Sequence, residues 1–156
     1  MASGPERVQA ALEALDLDVQ VVRVPGSAKT AILAAEAVGC PVGASVKSLV
    51  FVAGDDPVLV LCPGDRRVDT AKLAALRRVD PAAVGMAPAA LVREVTGYAI
   101  GGVPPLGHVT ALPTYMEQAL LNWPVVYGAA GAPDALFPID PNALQQITGA
   151  VVVQVT

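Results

Sequence analysis

Val46-Lys47-Ser48-Leu49-Val50-Phe51-Val52 is the stretch that decides how this chain folds. Leu49 and Phe51 occupy odd positions and Val46, Val50 and Val52 even ones, so both faces of an extended segment are apolar. That pattern belongs to a strand covered on both sides. Lys47 interrupts it on the side shared with Leu49 and Phe51, and a buried ammonium is costly unless paired. Two readings stay open. Either Lys47 lies at the strand's end and its head reaches water, or it opens into a cleft where an anionic or carbonyl ligand compensates its charge.

Working outward, Gly54-Asp55-Asp56-Pro57 is a turn signal. It leads into the apolar run Val58-Leu59-Val60-Leu61-Cys62, and the two segments predict an antiparallel hairpin. Pro63-Gly64-Asp65 ends it. Asp69 then reads as the N-cap of a helix running to about Arg78, with Leu73 and Leu76 inward and Lys72 at the polar edge. Arg66, Arg67, Lys72, Arg77 and Arg78 make this the most basic region, either a solvated helix face or a contact for phosphates. Toward the N-terminus, Pro5 suits the first turn of a helix carrying Val8, Ala11, Leu12 and Leu15 on one face. Val19 to Val24 reads as a strand stopped by Pro25-Gly26. Ala31 to Val38 reads as a short, mostly buried helix, capped by Ser27 or Thr30 and stopped by Gly39 and Pro41.

Beyond the basic helix, Pro88 to Val95 predicts a short helix closed by Gly97. It delivers the chain into Thr96-Gly97-Tyr98-Ala99-Ile100-Gly101-Gly102-Val103-Pro104-Pro105-Leu106-Gly107-His108, which holds four glycines and two prolines. Glycine serves where φ must be positive or where backbone must approach a ligand, and proline stiffens the loop. Gly101-Gly102 before Pro104-Pro105 therefore suggests a rigid turn presenting bare N–H groups, with a plain structural connection as the alternative. Pro113 to Leu121 is either helical or extended. Trp123 to Tyr127 reads as a strand, Gly128 to Asp134 as a second small-residue loop, and Asp140-Pro141 as a helix start stopped by Gly149. Val151 to Val155 closes the chain as a strand. The tally is about six or seven strands and about five helices, mostly antiparallel neighbours, in one α+β domain over 1–156 with a mixed, curved sheet.

Composition narrows the function classes. The chain has 156 residues, enough for one proper core. Hydrophobic residues make up 54% and mean hydropathy is +0.55. Yet the longest stretch free of Asp, Glu, Lys and Arg, Val95 to Met116, is broken by glycine and proline and does not read as a membrane span. With Glu6, Arg7 and Glu13 near the start, no secretory signal is read, and the cytoplasm is the expected compartment. Cys40 and Cys62 match no ligand spacing and His108 is the single histidine, so neither a metal nor a cofactor is expected. A net charge of −4 argues against broad adhesion to DNA or RNA.

Val46-Lys47-Ser48-Leu49-Val50-Phe51 followed by Thr96-Gly97-Tyr98 and the Gly-Gly-x-x-Pro-x-Gly loop ending at His108 resembles the YbaK-like aminoacyl-tRNA deacylases. The same fold, with a barrel-like sheet, occurs as the editing insertion of bacterial prolyl-tRNA synthetase. The resemblance covers nearly the whole chain, including Ser27-Ala28-Lys29-Thr30, the Arg67-Val68-Asp69 approach to Lys72, and the segment from Leu144 to Val155. It implies a trans-editing hydrolase that cleaves misacylated aminoacyl-tRNA of the Cys-tRNA(Pro) or Ala-tRNA(Pro) type, with the tRNA 3′ end as ligand and prolyl-tRNA synthetase as a possible partner. By the same resemblance Lys47, Gly101, Gly102 and Asp134 are the catalytic candidates. Thr30, Val103, Pro104, Gly107 and His108 become substrate contacts.

The chemistry implied is ester hydrolysis, which needs donors for a tetrahedral oxyanion, and the amides of Gly101 to Val103 are of that kind. No Ser-His-Asp or Cys-His constellation is evident. Attack by water, or assistance from a hydroxyl or thiol of the substrate, is the economical mechanism. The competing reading is a non-catalytic tRNA-end or protein-binding module on the same fold. A nucleotide-phosphate cradle ranks last, since no GxxxxGK[ST] or strand-borne GxGxxG is present.

Overall fold

In the computed structural model, which describes residues 2–156, the hairpin is the centre of a five-stranded sheet. In chain order the elements are α1 (Gly4–Ala14), β1 (Val22–Arg23), α2 (Ala31–Val38), β2 (Val46–Ala53), β3 (Asp56–Pro63), α3 (Thr70–Arg77) and β4 (Val84–Met86). They continue with α4 (Ala89–Thr96), β5 (Thr114–Glu117), β6 (Val126–Ala129), β7 (Ala135–Ile139), α5 (Pro141–Thr148) and β8 (Val151–Val153). β2 and β3 pair along their full length, from Val46 opposite Pro63 to Ala53 opposite Asp56. Gly54, with φ at 64°, opens the two-residue turn between them.

The larger sheet has the order β4-β2-β3-β5-β8, and β1-β7-β6 form a second, three-stranded sheet. β3–β5 and β5–β8 are parallel, so the expectation of mostly antiparallel neighbours holds for the hairpin and the small sheet but not for this half of the large one. The expected barrel-like closure is also absent. The two sheets meet at a single bridge, Ser45 to Tyr127, and stay open beside it. Short strands are the reason: β1 has two residues and β4 three, too few to carry the ladder around.

Val58, Leu59, Val60 and Leu61 are all fully buried, as a strand covered on both faces requires. Leu59 and Leu61 join the main core with Leu12, Met116, Leu120, Phe137 and Leu144. Val58 and Val60 face the other way, against Phe51, Leu73, Tyr115 and Val155 beneath α3. The helix ends follow their caps. Thr30 Oγ1 accepts from Leu33 N–H at 3.2 Å, Asp69 from Ala71 N–H at 2.9 Å, and Asp140 from Asn142 N–H at 2.7 Å. Gly39, Gly97 and Gly149 close their helices in the left-handed region.

Several local expectations shift. α2 buries only Ala34 and Ala35 fully, while Ile32 is 59% exposed, and Leu76 on α3 lies outward. The strand expected over 19–24 shrinks to two residues. The segment left open at 113–121 is β5 followed by a 3-10 turn. β4 and β7 were not foreseen. No helix of the described residues is long and apolar enough to cross a membrane.

The glycine-rich loop is held from several sides. Thr110 N–H donates to Val95 O and Val109 N–H to Thr96 O, so the loop leaves and returns at the end of α4. Arg7 donates to Gly97 O at 3.2 Å and places its guanidinium 4.3 Å from the centre of the Tyr98 ring. Gly131 N–H donates to Gly102 O at 2.9 Å. A Cβ on Gly102 would lie 2.9 Å from Ala132 N and 3.1 Å from Gly131 C, both backbone atoms that cannot step aside.

Glu117 is a buried carboxylate, 2% exposed, at the end of β5. It accepts from Ala119 N–H, Val155 N–H, Thr156 N–H and the Thr156 hydroxyl. Burial pushes its pKa up, but these four donors outweigh burial and hold it below the ordinary 4.5.

Two predictions follow from this packing. Gly102→Ala should cost about 1–3 kcal/mol through overpacking against the 131–132 backbone, read as a lower Tm; an unchanged melting curve would deny the contact. Because the folded pKa of Glu117 is depressed, its contribution to stability is complete above its ordinary value and is lost as pH falls through the folded one. Glu117→Ala should therefore cost about 1–3 kcal/mol near neutrality and less in acid. Urea unfolding at about pH 7 and about pH 3.5 checks this, and an equal loss at both would refute it.

Candidate active site

A cavity of about 270 Å³ opens where the two sheets fail to join. The first half of β2 forms one wall, since β4 pairs only with Phe51 to Ala53 further along. The start of α2, Ile100, Gly101 and Val103 of the loop, Met86, Ala87 and Val92, and Tyr127, Ala129 and Leu136 complete it. Most of the wall is aliphatic. The polar groups are two lysines, Lys29 and Lys47, and the hydroxyls of Thr30, Ser45, Ser48 and Tyr127. No Asp, Glu, His or Cys is among the lining residues.

Lys47 is half-buried. Its ammonium donates to the Arg66 carbonyl, which anchors the side chain at the cavity's edge. Lys47 also lines a second, smaller cavity of about 190 Å³ on the α3 side, with Leu49, Phe51, Arg67, Val68, Thr70 and Met86. Thus Lys47 stands between two concave surfaces. Both sequence readings describe part of this: the residue is near the strand's start, and it does border a cleft.

Among the other sequence candidates, Thr30, Gly101 and Val103 line the cavity with Lys47. Gly101 requires its residue type, with φ at 98° and a would-be Cβ 3.2 Å from the Lys29 side chain. Gly102, Pro104, Gly107, His108 and Asp134 lie outside the lining. The Gly102 N–H is already donated to Ala99 O at 3.0 Å. His108 Nε2 faces Pro104 O at 2.6 Å, and a carbonyl there requires the proton to sit on Nε2. Burial lowers the His108 pKa, partly opposed by that carbonyl, so the ring is a neutral pin across the Pro104–His108 turn. Asp134 makes a bidentate ion pair with Arg23, at 2.9 and 2.8 Å, tying β1 to the turn before β7.

Neither cysteine suits a nucleophile. Cys62, opposite Lys47 in the hairpin, is fully buried, and burial pushes its thiol up to about 11 despite the lysine. Burial also raises Cys40. Of the basic cluster, Lys72 donates to the Thr156 backbone oxygen, Arg66 contacts the Thr156 hydroxyl, and Arg77 reaches Tyr115 and Asp56. Arg67 lines the smaller cavity. Sequence reasoning passed over Lys29, Ser48 and Tyr127 as site residues. Only the lysine carried a usable signal, a cation just before the Thr30 cap.

Comparisons with known proteins bear on the family of this fold. The sequence profile of the aminoacyl-tRNA editing domain matches residues 26–147. A crystal structure described as a proposed trans-editing enzyme for prolyl-tRNA synthetase superposes with a TM-score of 0.93 at 43% identity, covering 100% of this chain and 98% of the other. EbsC of Enterococcus faecalis, whose name proposes a Cys-tRNA(Pro)/Cys-tRNA(Cys) deacylase, is 28% identical over 123 residues, 78% of this chain and 74% of EbsC. The proline–tRNA ligase of Oleidesulfovibrio alaskensis is 39% identical over 72 residues, 46% of this chain and 12% of the ligase. With the profile spanning most of its length and the cavity lying within that span, this chain belongs to the aminoacyl-tRNA editing domain family.

Proposed function

We propose that this protein is a trans-editing hydrolase that cleaves the ester of misacylated aminoacyl-tRNA, of the Ala-tRNA(Pro) or Cys-tRNA(Pro) type. The observation that carries this reading is the composition of the cavity: two lysines, aliphatic walls, and no carboxylate, imidazole or thiol in the lining. The aminoacyl side chain enters between Ala31, Ala34, Val92 and Leu136. The ester lies against Lys47 and Gly101. Lys47 draws in the phosphates of the tRNA 3′ end or polarises the ester carbonyl, either of which lowers the barrier most where water is excluded. Water is the nucleophile, positioned rather than activated by a protein base.

Discrimination by such a pocket is by size. A missing or extra methylene is worth about 1–3 kcal/mol in an apolar site, so a small residue is separated from proline by fit alone. Gly102, Gly107, His108 and Pro104 then act on the site through the loop they shape, and Asp134 through the Arg23 clasp. The reading is tested with alanyl-, cysteinyl-, seryl- and prolyl-tRNA in single-turnover reactions scored for release of the amino acid. Release of the small residues ahead of proline is expected. Binding of tRNA without release from any of them would leave a non-catalytic tRNA-end module instead.

Lys47→Ala should lower the single-turnover rate at least about tenfold, equal to about 1.4 kcal/mol of transition-state stabilisation, while the melting curve stays close to that of the parent. Wild-type rates at saturating enzyme would remove Lys47 from the site.

A further inference from the structure

Ser48 is the next residue along β2, and its position is unusual in two independent ways. Its hydroxyl oxygen is, among the described residues, the buried side-chain oxygen or nitrogen that finds no hydrogen-bond partner, a state that costs stability unless something else completes it. Its backbone N–H and C=O are also left out of the hairpin's hydrogen bonding. Ala87 N–H donates to Val50 O at 3.0 Å, so the peptide groups of Val50 point away from β3. On the partner strand Leu59, opposite Val50, donates its N–H to Pro113 O at 2.9 Å, away from β2. Both strands therefore agree that Val50–Leu59 is a pair without mutual hydrogen bonds. In an antiparallel ladder this alternates with period two, so Ser48–Leu61 is the same kind of pair. The N–H and C=O of Ser48 face away from β3.

No strand ladder takes them up on that side. β4 begins its pairing at Phe51, and β6, which packs beside β2, bridges this edge only at Ser45. The gap between those two contacts is the cavity wall that Ser48 shares with Lys47.

We infer that Ser48 supplies the oxyanion donors of the hydrolysis, its backbone N–H together with its hydroxyl, in place of the glycine loop. The inference rests on the hydrolase reading above. The loop is a poorer source, because the Gly102 N–H is already bonded to Ala99 O. A strand edge is the better one, since its donor is fixed by the eight-pair hairpin behind it and costs no reorganisation. Water adds to the ester carbon and the carbonyl π pair moves onto oxygen, where the Ser48 donors hold the charge. The pair then returns, the bond to the ribose oxygen breaks, and that oxygen takes one proton of the water. The other leaves as the released carboxylic acid ionises.

Two variants separate the donors. Ser48→Ala removes the hydroxyl, and Ser48→Pro removes the N–H at an edge position where proline leaves the hairpin ladder intact. Ser48→Pro should lower the single-turnover rate about 10²–10³-fold, and Ser48→Ala less, with the half-saturating tRNA concentration unchanged in both. Folded variants with parental rates would overturn the assignment. Should the proline variant fail to fold, amide exchange on the parent decides. Ser48 N–H should exchange faster than those of Lys47 and Leu49 in the free protein and become protected when adenosine carrying a 3′ amide-linked alanine is added. No binding of that probe, or binding without protection of Ser48, would equally overturn it. If the parent releases no amino acid from any tRNA yet the probe protects Ser48, the hydrolase reading fails while the donor site stands.

Discussion

The β2–β3 hairpin is the constraint on which the rest depends. β3 is covered on both faces and paired on both edges, by β2 along its whole length and by β5 at Leu59 to Leu61. With β3 saturated, β2 must supply the outward edge. β4 answers only its last three residues, so the first half of β2 is rigid on one side and carries no ladder on the other. Naked sheet edges are normally blunted or covered, because they invite pairing with other chains. Here the edge is roofed by α2, the glycine-rich loop and β6, at a distance that leaves a cavity rather than a ladder.

The roof has to be as firm as the floor, and most of its fastenings are remote in sequence. Arg7 of α1 grips Gly97 and Tyr98, Gly131 bonds Gly102, and the His108 ring closes the turn at Pro104. Gly4 in turn sits against Gly131, where a Cβ on either would strike backbone. The loop is thus a packed element with two jobs divided between adjacent glycines: Gly101 faces the cavity with a positive φ, and Gly102 faces the 131–132 backbone. On the other flank Glu117 gathers the amides of Val155 and Thr156, and Asp69 N–H donates to Val155 O, so the last residues lock β5 to the start of α3.

Much of this was legible in the sequence, for physical reasons. The hairpin showed itself because a continuous apolar run and a Gly-Asp turn have few other solutions, and the helices because Thr30, Asp69 and Asp140 are caps with visible stops after them. Lys47 stood out because a charge on an apolar strand demands an explanation. Three things were not readable. β7 was masked by Pro138, which is tolerated because β1 flanks only Ala135 and Leu136 and leaves that end of β7 with a neighbour on one side. Val84-Gly85-Met86 is too short and too plain to announce a strand. The parallel pairing of β3 with β5 depends on where a long connection returns, which no local pattern encodes. Within the site, a sequence cannot tell a glycine kept for φ from one kept for contact, nor a strand serine with a spent hydroxyl from one whose hydroxyl is free.

Net charge bears on how such a site selects. With 14 acidic and 10 basic side chains the molecule repels polyanions at long range, and general affinity for RNA, which comes from releasing counterions along a phosphate chain, is correspondingly weak. Yet the cavity lining carries Lys29 and Lys47 and no carboxylate, and Arg67 lies in the neighbouring hollow. At physiological ionic strength screening acts over about 8 Å, so these cations govern only what has already entered. A protein arranged this way gains little from clinging to any nucleic acid that passes. On the proposed reading its attraction is confined to a terminus that can thread an ester between a strand edge and a glycine turn. For an enzyme proposed to remove wrong amino acids while sparing the far more abundant correct ones, weak capture and strict fit is the combination that keeps both tasks compatible.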